Sequence, residues 1–390
     1  MSARPIVVVV VAMLVMVQVV RNAVVTALAT RAPDEAARVW AGHPSVELSL
    51  AMAQIGQAAR DRGQVPASAF ALMTDAAAKA PLAPEPFLVR GVRAELAGDG
   101  TTAERSFEAA QWRDPRSLPA AYFLADRYLR AGDVTRGLPQ VAALARLSPG
   151  GSSTVAPYLA AYARNPANWP ALRSLFRTHP DLSGPALTIL ATSASSAPAV
   201  LALADPRQKA LDAPWLGPLL NSLVVAGEYA KAHAIWARAA DVKPGPYLYD
   251  AGFTDKTSPP PFNWSLTSSA VGVAERQPGG RLHVVFYGQQ DGILATQLLL
   301  LQPGDYHMSM QLMGDAAHSH SLNWSIWCDK AGEAIASVTV DAAAAQGWRF
   351  TVPQGCQAQW LKLSGASGDL PQQVDATISG LKLEKVGKGA

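Results

Sequence analysis

Three prolines recur at a fixed interval in the first half of this chain. Pro81, Pro115 and Pro149 are each separated by 34 residues. Proline has no amide hydrogen and its ring clashes with the preceding turn, so it ends a helix that reaches it. Self-similarity at a period of this length is typical of repeat architectures. The interval therefore predicts a series of helix pairs, each pair ending at one of these prolines.

Small side chains recur within the same interval. Before Pro115 they surround one large apolar residue, in the set Gly91, Gly98, Ala103, Phe107 and Ala110. Related sets precede Pro149 and Pro244, namely Leu124, Tyr128, Gly132 and Gly137, and then Gly227, Tyr229, Ala232, Trp236 and Ala239. Two antiparallel helices approach closely where alanine or glycine removes the side chain. Each set therefore predicts the crossing point of one helical hairpin.

This pattern resembles the tetratricopeptide repeat (TPR) family over three units, which are residues 82–115, 116–149 and 213–244. The resemblance implies a TPR-like α-solenoid over residues 31–250. Such arrays have a concave inner surface that holds peptides or partner proteins. The alternative is that the array is a spacer, which lifts the C-terminal domain away from a membrane.

The repeat pattern is incomplete outside these units. Before Pro81, Ala69 and Ala76 fit the pattern, but Arg60 stands where the family usually has an aromatic residue. After Pro149 the register is lost, and five prolines predict short, irregular helices there: Pro166, Pro170, Pro180, Pro185 and Pro198.

Residues 1–30 contain a long apolar segment. Ile6 to Val20 is apolar apart from Gln18, and Ala23 to Ala29 continues it apart from Thr26. A bilayer needs about 20 helical residues. Residues 6–28 supply that length as one membrane span, provided that Arg21 extends its charged group toward the headgroups.

Two other interpretations of this segment remain open. Ala27-Leu28-Ala29 is a small-x-small sequence of the kind cleaved after a secretory signal peptide. A buried core helix is the second alternative, and the absence of a polar stripe disfavours it.

The composition changes near residue 250, where alternating patterns replace alanine-rich ones. Ser258-Pro259-Pro260-Pro261 predicts a stiff linker over residues 251–261. Residues 262–386 follow with apolar side chains at every second position in several runs, such as Leu282, Val284 and Phe286. Short alternating runs separated by Gly, Pro, Asn and Asp predict an antiparallel β-sandwich.

The order of these runs resembles the jelly roll of carbohydrate-binding modules. The matching elements are Phe262-Asn263-Trp264, residues 292–301, Pro303 to Tyr306, and a terminal strand over residues 375–383. The resemblance implies a jelly-roll fold, and a fold of this kind does not by itself establish sugar binding.

The outward positions of the predicted strands carry three aromatic residues and four polar neighbours. They are Tyr287, Trp327, Trp360, His283, His307, Gln311 and Asn323. Aromatic faces beside amide and imidazole groups suit stacking on sugar rings and bonding their hydroxyls. These residues are therefore the candidate ligand contacts. The alternative is that the aromatic rings cover one another, the linker or the helical array. Trp264, Trp324 and Trp348 are better explained as core residues and are not candidate contacts.

The two cysteines, Cys328 and Cys356, both lie in the predicted β domain. They form a disulfide if the chain is exported to an oxidising compartment, and are otherwise buried thiols. They have neither the spacing nor the additional ligands of a zinc site.

Charge and motifs exclude several classes of function. The net charge of +3 comes without a clustered basic face, which argues against binding to nucleic acid. The sequence has no nucleophile elbow, P-loop, dinucleotide fingerprint or zinc-protease motif. We therefore expect no catalytic residues, metal or cofactor.

The sequence as a whole predicts a non-enzymatic, membrane-anchored scaffold of the cell envelope. Residues 6–28 contact the membrane, the helical array binds a protein partner, and most of the chain lies in the periplasm or another extracytoplasmic space. The alternative is a carbohydrate-binding protein that acts in polysaccharide assembly, export or surface attachment.

Overall fold

The computed structural model describes residues 4–242, 245, 247–314, 319–369 and 372–387. The chain divides into two units, residues 1–155 and 156–390. The division falls within one helix, α9 (Gly151–Ala163). The change from helices to strands falls later, between Ala239 and Ser265.

The first unit is a series of helical hairpins. Its helices are α1 (Arg4–Leu28), α2 (Pro33–Trp40), α3 (Pro44–Arg60), α4 (Ala67–Lys79), α5 (Glu85–Leu96), α6 (Gly100–Arg113), α7 (Leu118–Arg130) and α8 (Val134–Leu147). Consecutive helices pair as α1–α2, α3–α4, α5–α6 and α7–α8. The predicted TPR-like array is therefore confirmed in this unit.

The second helix of each repeat ends where the proline spacing predicts. Helices α4, α6 and α8 end at Lys79, Arg113 and Leu147, shortly before the three equally spaced prolines. The turns inside the hairpins also follow the sequence. Gly98 ends α5 in the left-handed region at φ 76°, and Asp99 then caps α6, since its side chain accepts a 3.0 Å hydrogen bond from the Thr102 amide.

The crossing of α5 and α6 depends on Gly91. A Cβ atom at this position would lie 2.5 Å from the ring of Phe107 on the facing helix α6. The Phe107 ring is buried and stacks on Phe123 of α7, with ring centroids 4.6 Å apart. It therefore has little room to move, and the absence of a side chain at Gly91 permits the helices to pack.

Helix α1 belongs partly to this array. Its large apolar side chains from Val7 to Val20 are between 50% and 67% exposed. Val25 and Ala29, by contrast, are 0% and 2% exposed and pack with Ala36 of α2 and Val46 of α3. The first part of the helix is therefore apolar and exposed, and its last turn is buried in the core of the first hairpin.

The second unit begins with short helices. They are the end of α9, then α10 (Trp169–Thr178), α11 (Ser183–Ala191), α12 (Ala197–Leu203), α13 (Leu216–Val225) and α14 (Tyr229–Ala239). The five prolines between residues 166 and 198 lie in the first turns of helical segments, where the missing amide hydrogen has no cost. Pro244, the predicted end of the last repeat, lies outside the described residues.

The rest of the second unit is a β-sandwich. Its elements are β1 (Ser265–Leu266), β2 (Gly272–Gln277), β3 (Arg281–Phe286), β4 (Gly292–Leu299), β5 (Gly304–Gly314), β6 (Leu322–Cys328), β7 (Ala334–Thr339), α15 (Val340–Gln346), β8 (Trp348–Val352), β9 (Gln359–Gly365) and β10 (Val374–Lys385). The first sheet has the strand order β1-β4-β9-β6-β7 and the second has β2-β3-β10-β5-β8. All strand pairs within the described residues are antiparallel. The predicted antiparallel sandwich is confirmed.

The core of the sandwich lies between the inner faces of the two sheets. Leu282, Val284 and Phe286 of β3 meet Leu361 and Leu363 of β9 there. The three tryptophans with inward parity, Trp264, Trp324 and Trp348, are buried in the same core. Alternation of period two along each strand therefore identified the buried face.

Residues 251–261 differ from the stiff linker that their prolines suggested. Phe253 is buried in the sandwich core, and Ser258 is also buried. The Asp255 carboxylate accepts hydrogen bonds from the amides of Thr257 and Ser258. Because these side chains find partners within the unit, the segment folds as a packed loop and not as an extended connector.

The hairpin α13–α14 is joined to the sandwich by an aromatic cluster. Trp236 of α14 contacts Tyr249 and Phe262, with ring centroids 4.7 and 5.5 Å away. Its indole N–H donates a 3.1 Å hydrogen bond to the carbonyl of Pro259. This hairpin, which carries the third repeat pattern, therefore shares a core with the segment that precedes the sandwich.

We expect Gly91→Ala to lower the free energy of unfolding by about 1–3 kcal/mol, because the added methyl group overpacks the α5–α6 crossing. The matched control is Gly56→Ala in α3, where the nearest atom to the new Cβ is a flexible arginine nitrogen 3.7 Å away. This control should raise stability by about 0.5–1 kcal/mol through helix propensity. Thermal unfolding of the full-length chain in mild detergent, followed by circular dichroism, measures both. Equal effects of the two substitutions would contradict the tight crossing.

Candidate functional site

The seven predicted contact residues lie on two different surfaces. Asn323 and Trp327 on β6 and Trp360 on β9 belong to the first sheet. The other four belong to the second sheet or follow it directly, and they are His283, Tyr287, His307 and Gln311. The two sheets pack through their inner faces, so their outer faces point in opposite directions. Tyr287 therefore does not share a groove with the two tryptophans, which corrects the grouping made from the sequence.

Trp327 and Trp360 lie next to each other on the outer face of the first sheet. They are directly opposite in the antiparallel register of β6 and β9. The ammonium of Lys362 lies 4.3 Å from the centroid of the Trp327 ring, a cation–π contact. Burial lowers the pKa of Lys362, while Asp329 opposes this shift. The pair thus forms a half-buried aromatic platform that is partly covered by a lysine.

Both indole N–H groups of this platform already have partners. Trp327 Nε1 donates to Ser325 Oγ at 2.9 Å, and Trp360 Nε1 donates to Asp329 Oδ1 at 2.8 Å. The second oxygen of Asp329 accepts a hydrogen bond from the hydroxyl of Tyr229, at the beginning of α14. Burial and this bond together raise the pKa of Tyr229 to about 12. Asp329 therefore links Trp360 of the platform to the helical hairpin.

A cleft of about 680 Å³ lies beside this link. Its walls are the α13–α14 turn, the loop between β4 and β5, and the loop between β8 and β9, represented by Tyr229, Gln302 and Gln357. Cys356 lines the third wall and forms a disulfide with Cys328. The volume suits a small ligand. However, the charged groups in the wall, Glu228 and Lys231, bind each other at 2.8 Å.

The outer face of the second sheet contains a histidine between two carboxylates. His283 Nδ1 lies 3.2 Å from Glu275 and Nε2 lies 3.0 Å from Asp375. Burial alone would lower the pKa of His283, but the hydrogen bonds to Glu275 and Asp375 raise it above its ordinary value. Among the residues that the structure describes, no cluster of histidine, cysteine and carboxylate groups is placed to hold a metal ion.

The remaining predicted residues of this face are not gathered into a pocket. Gln311 and Tyr287 are exposed, whereas His307 is half-buried beside Gly347. A Cβ atom at Gly347 would collide with the His307 ring, so this histidine is held by packing. The outward position of a residue on a predicted strand therefore indicates that its side chain faces solvent. It does not indicate that several such side chains surround one ligand.

Helices α5 and α7 of the array leave apolar side chains uncovered. Leu96 at the end of α5 is 85% exposed, and Tyr122 of α7 is 54% exposed. The helices are related through a shared cluster in which Leu88 and Val92 of α5 pack near Phe123 of α7. The sequence pattern predicted a binding surface on the array but did not identify these side chains.

Ion pairs fix the same helices against one another. Arg127 of α7 binds Glu104 of α6 at 3.0 Å and Glu95 of α5 at 3.4 Å. Arg136 of α8 binds Glu104 from the other side at 2.8 Å. These ion pairs form a network that spans the four helices α5 to α8.

The raised pKa of His283 predicts a pH-dependent contribution to stability. Protonated His283 between two carboxylates stabilises the folded chain below its ordinary pKa of 6.5, and this stabilisation is lost as the pH rises through the higher folded-state pKa. We expect the advantage of the native chain over His283→Gln to be on the order of 0.5–1 kcal/mol near pH 6, as for other exposed ion pairs. It should shrink as the pH rises through the folded-state pKa and the imidazole becomes neutral.

Thermal melts of both proteins across this pH range measure the difference. The control is the double variant Glu275→Gln, Asp375→Asn, which removes both partners and should abolish the pH dependence. A native advantage that grows with pH would contradict the assignment.

No protein-family model matches the chain, and no curated protein matches its sequence. Solved structures with a partial likeness include YrrB, described as a TPR protein with an unusual peptide-binding site. It is 15% identical, covers 55% of this chain and 94% of its own, and gives a TM-score of 0.26. MamA of Desulfovibrio magneticus RS-1 is 16% identical, covers 50% of this chain and 94% of its own, and gives a TM-score of 0.23. A chain from the structure of accessory secretory proteins 1, 2 and 3 of Streptococcus pneumoniae is 14% identical. It covers 31% of this chain and 90% of its own, and gives a TM-score of 0.24. At these identities and TM-scores, the likeness does not indicate what this chain binds.

Proposed function

We propose that this chain is a non-enzymatic, membrane-anchored scaffold of the cell envelope, whose helical array binds a protein partner. The observation that carries the proposal is the construction of α1. Its first part is an uncovered apolar helix, and its last part is buried in the first hairpin of the array. A helix built in this way attaches the array directly to whatever covers the apolar part.

A lipid bilayer is the environment that suits the exposed part of α1. The segment from Val7 to Leu28 is long and apolar enough to cross a membrane. Exposing apolar surface to water costs a free energy of roughly 25 cal/mol per Å². A continuous exposed apolar surface, such as that of α1, therefore marks a site of interaction with a membrane or another protein. From Val7 to Val20 the helix is apolar apart from Gln18 and its large apolar side chains are exposed all round, which favours lipid over a one-sided protein partner.

The burial of Val25 and Ala29 favours a retained anchor over a cleaved signal peptide. Cleavage after Ala29 would remove both residues from the core that they form with Ala36 and Val46. The disulfide between Cys328 and Cys356 supports export of the second unit, since disulfides persist in oxidising compartments. Together these features support a periplasmic or other extracytoplasmic location for most of the chain.

The exposed side chains of Leu96 on α5 and Tyr122 on α7 are the proposed contacts to the protein partner. Exposed tyrosine and leucine side chains on a rigid support suit partner binding, because little entropy is lost when they are covered. The ion pairs of Arg127 supply that rigidity.

The first test concerns the anchor. We expect the native chain to remain in the membrane fraction after alkaline extraction, with its N-terminal segment intact by mass spectrometry. Leu14→Arg should release a large share of the protein, because a charge at mid-span costs roughly 2.5–3.5 kcal/mol of insertion. Thr30→Arg, just beyond the helix, is the control and should have no such effect. A mature chain that begins at residue 30 would refute the anchor.

The second test concerns the partner. Tagged full-length protein is recovered from its native membranes under mild cross-linking, and co-purified proteins are quantified. Leu96→Asp with Tyr122→Asp should reduce recovery of the partner by at least about tenfold, as for the loss of two contact residues at an interface. Arg105→Asp on the exposed side of α6 serves as the control, and Trp327→Ala with Trp360→Ala should also leave recovery unchanged. Partner recovery that is insensitive to the array substitutions would contradict the proposal.

A second candidate function is glycan binding by the sandwich, in polysaccharide assembly, export or surface attachment. The adjacent Trp327 and Trp360 favour it, since neighbouring aromatic faces stack on sugar rings. Binding of full-length protein to a glycan array, lost with Trp327→Ala and kept with Tyr287→Ala on the opposite sheet, would support this function over the first.

A further inference from the structure

The segment of α1 that is long enough to cross a bilayer includes the part that packs on α2. Val7–Leu28 has 22 residues, which at a helical rise of 1.5 Å is about 33 Å of helix. The hydrocarbon core of a bilayer is about 30 Å thick. The exposed large apolar side chains of this segment continue from Val7 to Val24. If the segment spans the membrane, the residues from Arg21 onward, where α1 starts to pack on α2, lie at hydrocarbon or interfacial depth.

The membrane-facing end of α2 lies at the same level as this part of α1. Arg21 Nε donates a 3.2 Å hydrogen bond to the carbonyl of Val39. The Arg21 guanidinium also lies 4.4 Å from the centroid of the Trp40 ring. Because the two helices form a hairpin, α2 runs back toward the membrane and ends there with Val39 and Trp40. Its acidic residues, Asp34 and Glu35, lie at the opposite end of the helix.

An apolar groove continues from the exposed helix onto α2. This α1–α2 groove has a volume of about 440 Å³, and its lining residues are Met16, Val17, Val20, Arg21, Val24 and Val39. Val39 is 37% exposed, and the half-buried Trp40 follows it directly. Arg21 is the charged member of the lining, and its Nε and its planar face are already occupied by Val39 and Trp40. The groove therefore presents aliphatic surface beside the C-terminal part of the membrane-length segment.

We propose that the first hairpin is seated in the interfacial layer of the membrane, with lipid acyl chains filling the α1–α2 groove. This inference rests on the proposed anchor and goes beyond it, because it assigns a lipid contact to the folded array itself. Tryptophan is enriched at this level of membrane proteins, where one side of the ring is apolar and the other polar. An arginine paired with that ring keeps its charge near the headgroups while its stem lies among apolar groups.

The occupant is lipid and not a protein for two reasons on the molecule. The groove is lined by Met16, Val17 and Val20. These side chains belong to the exposed apolar surface of α1 that the proposed bilayer covers. The membrane-length segment Val7–Leu28 contains every α1 residue that lines the groove, so a bilayer that covers this segment also reaches the groove.

The test places an environment-sensitive nitrobenzoxadiazole label at single introduced cysteines in the full-length protein, reconstituted in phosphatidylcholine vesicles. Cys328 and Cys356 are joined to each other, so only the introduced thiol reacts. The probe positions are Val39→Cys for the groove, Asp34→Cys at the far end of α2 as the matched control, and Met13→Cys at mid-span. We expect the emission of the Val39 probe to shift to shorter wavelength and to be quenched by brominated acyl chains, with neither effect for the Asp34 probe.

The outcomes separate the possible failures. A quenched Met13 probe with an unquenched, unshifted Val39 probe would keep the anchor and overturn the seated hairpin. A shifted Val39 probe that brominated lipids do not quench would assign the groove to a protein and also overturn the inference. An unquenched Met13 probe would overturn the anchor and, with it, this inference.

Discussion

The close crossing of paired helices is the constraint on which the first unit depends. Gly91 lies against Phe107, and a side chain at Gly91 would displace a buried ring. Gly137 stands in the same relation to Leu129 in the following hairpin. Since each helix pair buries little apolar surface alone, stability comes from stacking one pair on the next. The helix pairs can therefore stack on one another only because small residues lie at fixed positions in each pair.

The same rule incorporates the apolar helix into the array. Ala29 and Ala36 remove side chains where α1 and α2 meet, so that Val25 reaches the core beside Val46. A membrane anchor joined through a flexible linker would leave the orientation of the array free. An anchor that is the first helix of the array transmits its own tilt to the hairpin that follows, because the shared core resists bending.

Local pattern predicted the elements, and long-range contacts decided how they combine. Alternation of period two separates inner from outer residues on a strand, and it placed Trp324 inside and Trp327 outside correctly. It contains no information about which sheet a strand joins. Tyr287 and Trp360 therefore shared a predicted parity, although they lie on opposite sheets. The bond from Tyr229 to Asp329 joins residues separated by 100 positions, and no local signal identifies such a partner.

The last hairpin shows the limit of repeat counting. Gly227, Ala232 and Trp236 satisfy the repeat pattern, and Gly227 adopts the left-handed turn that the pattern requires, at φ 81°. In the first unit, the corresponding apolar residues pack on a neighbouring hairpin. Here Trp236 packs on Phe262 and donates to the carbonyl of Pro259, within the unit that contains the sandwich. The repeat pattern therefore specifies the internal geometry of a hairpin, whereas the surface available beside it determines whether that hairpin extends a solenoid or covers another fold.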